Sequence, residues 1–441
     1  MSNEKKTAGI YTLGCKVNQY ESEAIAEELQ RAGFAILPPS SVCDVYIINT
    51  CTVTAESDRK ARQFIRRAIG KAPHAYIIVT GCLAQTSPEE LSKIEGVDAI
   101  VGNGEKLLAA KIAKELTESK KKNALPSVNV TPIDESPFEQ MNITCFGRTR
   151  AYVKIEDGCE NRCTYCIIPS ARGRVRSKCP CDVINEVRDL TAAGCKEVVL
   201  TGIETASYGK DLRNTSLASL LCEVDRIENI GRVRLGSLDP SLITPDLAKT
   251  LASLPSLAHH FHLSLQSGSS RILALMKRKY NSSQAMRAIE LLRESMPDAQ
   301  FTTDVIVGFP GETDEDFRQT YEFVEKANFL NVHIFPYSKR KGTPAAAMKD
   351  QLPEEIKRKR LHELEALVAR KRRELLEGEI EKSPVRSILP ESFKDGYSYG
   401  HTAEFLEVAI RSDKPLERKI TNVRLTHTDG ELCFGDLINS N

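Results

Sequence analysis

Six of the thirteen cysteines fall into two sets of three with different architectures. Cys159, Cys163 and Cys166 stand in one short run, GCENRCTYC, whereas Cys15, Cys51 and Cys82 are 36 and 31 residues apart, each directly behind an apolar run. Three thiolates from one loop can hold three irons of a [4Fe–4S] cluster and leave the fourth iron without a protein ligand. An open iron can chelate the amino and carboxylate groups of S-adenosylmethionine. One electron from the cluster then cleaves the sulfonium and releases a 5′-deoxyadenosyl radical. Zinc prefers four ligands in pairs such as CxxC…CxxC, and no second pair follows here. The dispersed triad ends three candidate strands, TLGC, INTC and VTGC. Loops after the strands of an open parallel sheet gather on one edge, so three such cysteines can converge; the alternative is three separate buried thiols. Together the two triads point to two iron–sulfur clusters facing each other.

The elements that must position them alternate between β and α, which implies an α/β fold. Strand-like runs at 10–13, 45–49 and 75–80 alternate with helical stretches at 20–32, 57–70 and 105–117. That pattern predicts an open parallel sheet with helices on its faces over residues 5–117. Residues 118–147 are polar, carry proline and lack periodicity, which predicts a linker. From 148 to 376 six strands (151–156, 197–203, 232–238, 261–266, 302–309, 331–337) alternate with helical patterns, and a long charged helix at 353–376 closes the segment. Six β/α units predict a partial (β/α)6 TIM-like barrel, with the tight triad in the loop after its first strand, where such barrels build active sites. In residues 378–441 helical periodicity stops. Runs at 385–389, 405–410, 418–424 and 431–438, with KDGYSYG and TDG read as turns, predict a small OB-like β-barrel of a kind used for RNA.

Composition sets outer limits. With 41% hydrophobic and 27% charged residues, the 441-residue chain reads as a soluble enzyme with no membrane-spanning segment. Its start, MSNEKKTAG, lacks the apolar core of a signal peptide, so a cytoplasmic location is expected. Cysteines in that setting favour metal or redox chemistry over a disulfide framework. Net charge is only +1, but basic residues cluster: Arg148, Arg150, Lys154, Arg162, Arg172, Arg174, Arg176 and Lys178; Lys339–Lys341; and the runs at 357–360 and 370–373. Such clusters read as local phosphate-binding surface.

Around the triads, Tyr165 lies inside the tight one, where its ring can pack near a bound adenine. Arg174 and Arg176 follow it and can meet phosphate or a cofactor carboxylate. Gln266 and Ser267 end the fourth barrel strand and are expected to face the space between the clusters as a substrate pocket. Cys179 and Cys181 form a CPC pair with no partner pair and read as incidental. Cys43, Cys145, Cys195, Cys222 and Cys433 read as packing. The histidines form no ligand pair; His259, His260 and His262 read as one strand region.

The tight triad resembles the signature of the radical S-adenosylmethionine superfamily. In that superfamily the TGIE run ending in Glu204 would face the methionyl amine, and DVIVGFPGET, with Gly308 and Gly311, would approach the adenosyl part. The segments TLGCKVNQYES, NTCTVT, GCLAQ, IEDGCENRCTYCIIPSARG, LSLQSGS, TTDVIVGFPGET and HIFPYSKRKGTPAA resemble the methylthiotransferase family in the same order along the chain. The C-terminal β segment is similar to that family's RNA-binding TRAM domain. The runs GCKVNQYES and FPYSKRKGTPAA look most like the branch acting on tRNA threonylcarbamoyl-adenosine, the MtaB type. Two positions depart from it: Ser170 stands where an aromatic residue is usual, and Glu204 where His or Asn is.

The resemblance implies two [4Fe–4S] clusters. One, on Cys159, Cys163 and Cys166, would bind and cleave S-adenosylmethionine. The other, on Cys15, Cys51 and Cys82, would carry the sulfur to be attached. One S-adenosylmethionine would supply the methyl group and a second the radical that activates C2 of adenine 37 in a tRNA anticodon stem-loop. An aromatic C–H has no useful pKa, so acid–base catalysis cannot open it. A flavodoxin or ferredoxin would supply the electron; the sequence does not name the sulfur donor. Other outcomes within the family are action on isopentenyl-adenosine tRNA or on an aspartate of a small-subunit ribosomal protein. Outside it stands a non-catalytic iron–sulfur RNA-binding protein.

Overall fold

A computed structural model describes residues 5–122, 124–382 and 384–438. Residues 439–441, the end of the expected C-terminal barrel segment, lie outside the described residues.

The N-terminal region is an open, wholly parallel sheet in the order β2-β1-β3-β4-β5-β6. Its strands are β1 (Thr7–Thr12), β2 (Ala35–Leu37), β3 (Val45–Thr50), β4 (Tyr76–Gly81), β5 (Ala99–Val101) and β6 (Ser127–Asn129). The β-branched run VYIINT is buried at every position and forms the central β3, as expected for a strand covered on both faces. Helices α1 (Lys16–Arg31) and α5 (Leu108–Ser119) bury Ile25, Leu29, Ala109 and Ala113 on one face. Helix α2 (Ala55–Lys71) buries Ala61, Ile65 and Ala68 on the other, beside the short α3 (Cys82–Thr86) and α4 (Pro88–Ser92). The chain leaves β1 toward β2 on one side and β3 on the other, so a topological switch point lies between β1 and β3.

The segment read as a linker is more ordered than its composition suggests. Residues 127–129 add β6 to the sheet. Met141 and Ile143 join the core of the central barrel, and the Glu27 carboxylate accepts from the Thr144 and Cys145 amides at 2.7 and 2.9 Å.

The central region is a partial barrel of six parallel strands: β7 (Ala151–Lys154), β10 (Glu197–Thr201), β11 (Arg232–Leu235) continued by β12 (Ser237–Leu238), β13 (His260–Gln266), β14 (Gln300–Val307) and β15 (Asn331–Pro336). Gly236 interrupts the third strand: a Cβ there would reach within 2.6 Å of Thr205 Oγ1. A two-stranded ribbon, β8 (Glu156–Asp157) with β9 (Arg176–Ser177), closes the base of the loop carrying the tight triad. Helices α6 (Ile168–Arg172), α7 (Pro180–Ala192), α8 (Leu217–Asp225), α9 (Pro245–Ala252), α10 (Ser270–Leu275), α11 (Ser282–Ser295) and α12 (Asp314–Ala327) connect the strands. The N-terminal α1 packs on β7, and its Tyr20 and Ala24 belong to the barrel's hydrophobic core.

Helix α13 (Glu354–Lys382) joins two cores: Leu364, Leu367 and Val368 pack into the central barrel, Leu375 and Leu376 into the C-terminal one. That last unit is a closed five-stranded barrel, β16 (Val385–Lys394), β17 (Tyr397–Thr402), β18 (Glu407–Arg411), β19 (Thr421–Thr428) and β20 (Cys433–Leu437), in the order β16-β17-β18-β20-β19. One expectation is corrected here. The run read as a turn, KDGYSYG, is mostly strand β17. Only Asp395 and Gly396 turn, with φ of +52° and +78°, a two-residue hairpin of the primed type.

The C-terminal barrel docks at the amino ends of the central strands. Phe405 (φ +73°) is stacked between His260 and His401, 4.5 Å from each ring. The guanidinium groups of Arg150 and Arg234 lie 5.3 and 4.8 Å from its centroid. Arg234 also donates to the Thr402 and Ala403 carbonyls and pairs with Glu197. The base of the lumen is thereby stoppered.

Candidate active site between two cysteine triads

Cys15, Cys51 and Cys82 follow β1, β3 and β4, three neighbouring strands at the switch point, on the carboxyl edge of the sheet. Gly14, at φ +110°, lets the first loop cross directly over the second: a Cβ there would lie 2.8 Å from Cys51 Cβ and 3.1 Å from its sulfur. Asn18 ties these loops, donating to Leu13 O (2.8 Å) and Thr50 O (3.0 Å), with its Oδ1 3.7 Å from Cys15 Sγ. Burial, and then the neighbouring Cys82, pushes the Cys51 thiol up to about 11. Cys15 is open to solvent, yet protein surrounds it and burial is the main reason its thiol is raised. It therefore faces an internal chamber rather than bulk water.

The tight triad is held by its own loop. Cys159 N–H donates to Gly173 O, Cys166 N–H to Cys163 O and Thr164 N–H to Met276 O, each at 3.0 Å. Gly158 sits at φ +91°, where any Cβ would collide with the Arg174 carbonyl. Burial raises the Cys159 and Cys166 thiols to about 12. Arg278 donates to Cys163 Sγ at 3.4 Å and to Asp239 at 2.8 Å.

The two triads adjoin. Helix α6, which begins two residues after Cys166, packs on α3, which begins at Cys82. Cys82 is among the groups that raise the Cys166 thiol. At the end of α6, the fully buried Arg172 donates to Asn18 Oδ1 (2.7 Å), to both Glu21 oxygens (2.9 and 3.1 Å) and to both Asp157 oxygens (3.0 and 3.1 Å). Lys106 and Lys154 also pair with Glu21. Asn18 and Glu21 come from the helix after Cys15, and Asp157 from the ribbon before Cys159, so one guanidinium links both triads' supports. From the far side, Arg340 reaches Thr52 Oγ1 (2.7 Å) and Asp58 (2.8 Å), just behind Cys51.

The donor chemistry fits iron–sulfur clusters. Each triad presents three soft sulfur ligands; burial raises the thiols of Cys15, Cys51, Cys159 and Cys166, a penalty on the thiolate that metal coordination relieves. Among the described residues, the groups whose ligand atoms all lie within 4.8 Å of one another are Cys179–Cys181–Asp182 and His262–Asp304–His333. Neither triad is so compact, which suits the corners of a cluster better than a single ion.

The other sequence-predicted residues divide. Glu204 is buried at the chamber wall, accepts from the Asp239 amide (3.1 Å) and faces Asn161 (3.4 Å); burial and then Asp239 raise it to about 7. Tyr165 packs edge-on to Phe309, 6.5 Å between centroids. Gly308 donates to Glu312 (2.7 Å) at φ +72°, and Lys357 fills the space a side chain would need. Gln266 ends β13 at φ +70°. Ser267 is fully buried, its hydroxyl committed to Thr320 and the Ser269 amide rather than to a chamber. Arg174 is exposed; Arg176 is buried on the Ser136, Pro137 and Arg172 carbonyls.

Two readings need correcting. The basic stretch 148–178 is only in part a surface feature: Arg148, Arg162 and Arg174 are exposed, but Lys154, Arg172, Arg176 and Lys178 are all buried and paired with carboxylates. The histidines do form a constellation, His262 with His333 and Asp304. Alternation in HFHLSLQ was the available signal, because it puts His260 and His262 on one face. Arg278 had no sequence signal, and Arg340, read within a basic surface cluster, is instead buried on Asp58 and Thr52.

The comparisons agree with this geometry. Residues 153–324 match the Radical SAM superfamily, and residues 7–102 match the uncharacterized protein family UPF0004. A radical S-adenosylmethionine methyltransferase, TsrM from Kitasatospora setae, shares the fold, with a TM-score of 0.58 at 17% identity over 78% of this chain and 77% of its own. The chain is thus a radical SAM enzyme, which implies S-adenosylmethionine and a [4Fe–4S] cluster. More narrowly, it belongs to the methylthiotransferase family. It is 41% identical to the threonylcarbamoyladenosine tRNA methylthiotransferase MtaB of Bacillus subtilis over 95% of this chain and 93% of the relative. It is 37% identical to the tRNA-2-methylthio-N(6)-dimethylallyladenosine synthase of Carboxydothermus hydrogenoformans over 82% of each. No helix among the described residues is long and apolar enough to cross a membrane.

Proposed function

We propose that this enzyme converts N6-threonylcarbamoyladenosine at position 37 of tRNA to its 2-methylthio derivative. The observation that carries the reading is the pair of cysteine triads, brought side by side by the packing of α3 on α6 and tied through Arg172. Cys159, Cys163 and Cys166 would hold the cluster that takes S-adenosylmethionine; Cys15, Cys51 and Cys82 would hold a second. When bound, the clusters supply reductive cleavage of the sulfonium and the sulfur to be attached.

The chain's own groups do the rest. Glu204 is placed to meet the methionyl ammonium, and Tyr165 to pack the adenine. Arg172 fixes one cysteine set against the other. Residues 5–117 serve as the second-cluster unit, 148–376 as the radical core and 378–441 as a TRAM-type RNA module. On that last unit Tyr397 packs edge-on to Phe434, and His427 stacks on it at 4.6 Å, a base-stacking platform. A flavodoxin or ferredoxin would supply the electron in the cytoplasm. The choice of threonylcarbamoyl-adenosine rests on the relatives named for it, at up to 43% identity.

The test is the modified-nucleoside profile of tRNA from cells lacking the protein, with anaerobic reconstitution in parallel. Accumulation of unthiolated threonylcarbamoyladenosine, and about eight irons per chain, is the expected result. Loss of the methylthio group from isopentenyl-adenosine instead, or product on ribosomal protein only, would move the substrate elsewhere in the family.

A further inference from the structure

Between the triads and the Phe405 stopper the barrel lumen carries a polar cluster. On β13, Phe261, Leu263 and Leu265 point into the helix-facing core, so alternation turns His262, Ser264 and Gln266 inward. Asp304 on β14 and His333 on β15 meet His262 there, their ligand atoms all within 4.8 Å. His262 Nδ1 is 2.9 Å from Thr302 Oγ1 and Nε2 is 3.3 Å from Asp304 Oδ2, which fixes the ring. His333 is exposed to the lumen, 6.0 Å from the His262 ring. Lys16, the first residue of α1, is exposed and feels the charges of Arg234, Arg150 and Asp304. Those arginines are already paired with Glu197, and Asp304 with His262, so among the described residues Lys16 has no carboxylate of its own.

We propose that His262, Asp304 and His333, together with Lys16, form the subsite that reads the N6 substituent of the target adenosine. The inference rests on the threonylcarbamoyl reading above. C2 and C6 of adenine lie on either side of N1. With C2 turned to the clusters, the N6 group points away from them, down the lumen. A threonylcarbamoyl group brings a carboxylate, a hydroxyl and a urea N–H. Lys16 and His333 take the carboxylate, and Asp304 accepts from the hydroxyl or the urea. A hydrocarbon substituent would offer no acceptor to Lys16 or His333, and a site built to hydrogen-bond a substrate rejects the analogue that lacks those groups. The surrounding cations make the same cluster a poor seat for a divalent ion.

The experiment compares reconstituted wild type, Lys16→Met, Lys16→Arg and His333→Leu. Each is titrated with two anticodon stem-loop RNAs, identical except that one carries threonylcarbamoyl and the other unmodified adenosine at position 37. Wild type is expected to bind the modified RNA more tightly. Lys16→Met and His333→Leu should lose about 10- to 100-fold of that preference, with iron content unchanged, and Lys16→Arg should retain most of it. KM for the modified RNA should rise in parallel, with kcat less affected. An unchanged preference in both variants, an equal loss on both RNAs, or a stoichiometric metal beyond the cluster iron that disappears with His333→Leu would each overturn the subsite. If wild type makes no methylthio product on the modified RNA, the substrate reading fails instead. The two failures are therefore separable.

Discussion

The two triads assemble three cysteines each by opposite means. The tight one is held by hydrogen bonds within its own loop and to Gly173 and Met276, so its geometry is largely local. The dispersed one exists only once β1, β3 and β4 have paired and Gly14 has let one loop cross another. A local site tolerates distant change. A site assembled from three strand ends inherits every weakness of the sheet beneath it. The contrast teaches where mutational sensitivity should lie, and it can be broken in order of expected effect.

The largest effects separate the two functions. Cys163→Ala should abolish both 5′-deoxyadenosine formation and methylthio product. Cys51→Ala should abolish product and remove about half of the iron, yet leave 5′-deoxyadenosine formation. Product from Cys51→Ala, measured by mass spectrometry of the RNA, would dissolve the distinction.

Next comes the link between them. Arg172→Met strips the guanidinium from Glu21 and Asp157 and leaves those buried carboxylates with fewer partners, at a cost of about 3–5 kcal/mol. The expected signature in denaturant unfolding is a lowered midpoint. In the assay it is more 5′-deoxyadenosine per methylthio group formed. A variant as stable and as tightly coupled as wild type would show that the triads need no such link.

A pH experiment probes the wall of the tight triad. Glu204 titrates near 7 when folded, against 4.5 ordinarily, because burial and Asp239 disfavour its charge. Between those values the native state holds a proton that the unfolded chain has released, so stability falls as pH rises through that window. Glu204→Gln removes the penalty. The metal-free variant should exceed wild type by up to about 3 kcal/mol at pH 8 and by nothing near pH 4. Equal pH dependence in both proteins would place the proton elsewhere.

The smallest effect sharpens the contrast. Gly14→Ala forces a Cβ at φ +110° against Cys51, costing about 1–2 kcal/mol of backbone strain. It should lower iron occupancy of the dispersed site alone, read by Mössbauer or EPR spectroscopy, and spare the signal of the tight one.

The sequence showed most of the strands and both triads because apolar runs and cysteine spacing are local signals. The β17 strand was hidden because Asp395–Gly396, with Ser398 and Gly400 among the residues that follow, look like one long turn. The buried charges were hidden for a different reason. Nothing in the types of Lys154, Arg172 or Lys178 distinguishes a solvated cation from an enclosed one; only the partner does, and Glu21 lies 151 residues from Arg172. His262, Asp304 and His333 are likewise brought together by strand register, which composition does not reveal.

The ionic knot around Glu21 has an evolutionary consequence. Asn18, Glu21 and Lys106 belong to one end of the chain, and Lys154, Asp157 and Arg172 to another, yet Lys154 and Arg172 pair with Glu21, and Arg172 binds Asn18, across the seam. The N-terminal sheet is therefore no interchangeable cartridge. A chimera that grafts it onto a relative's barrel should succeed only when those six positions travel as a set, and natural drift at any one of them should be answered at another.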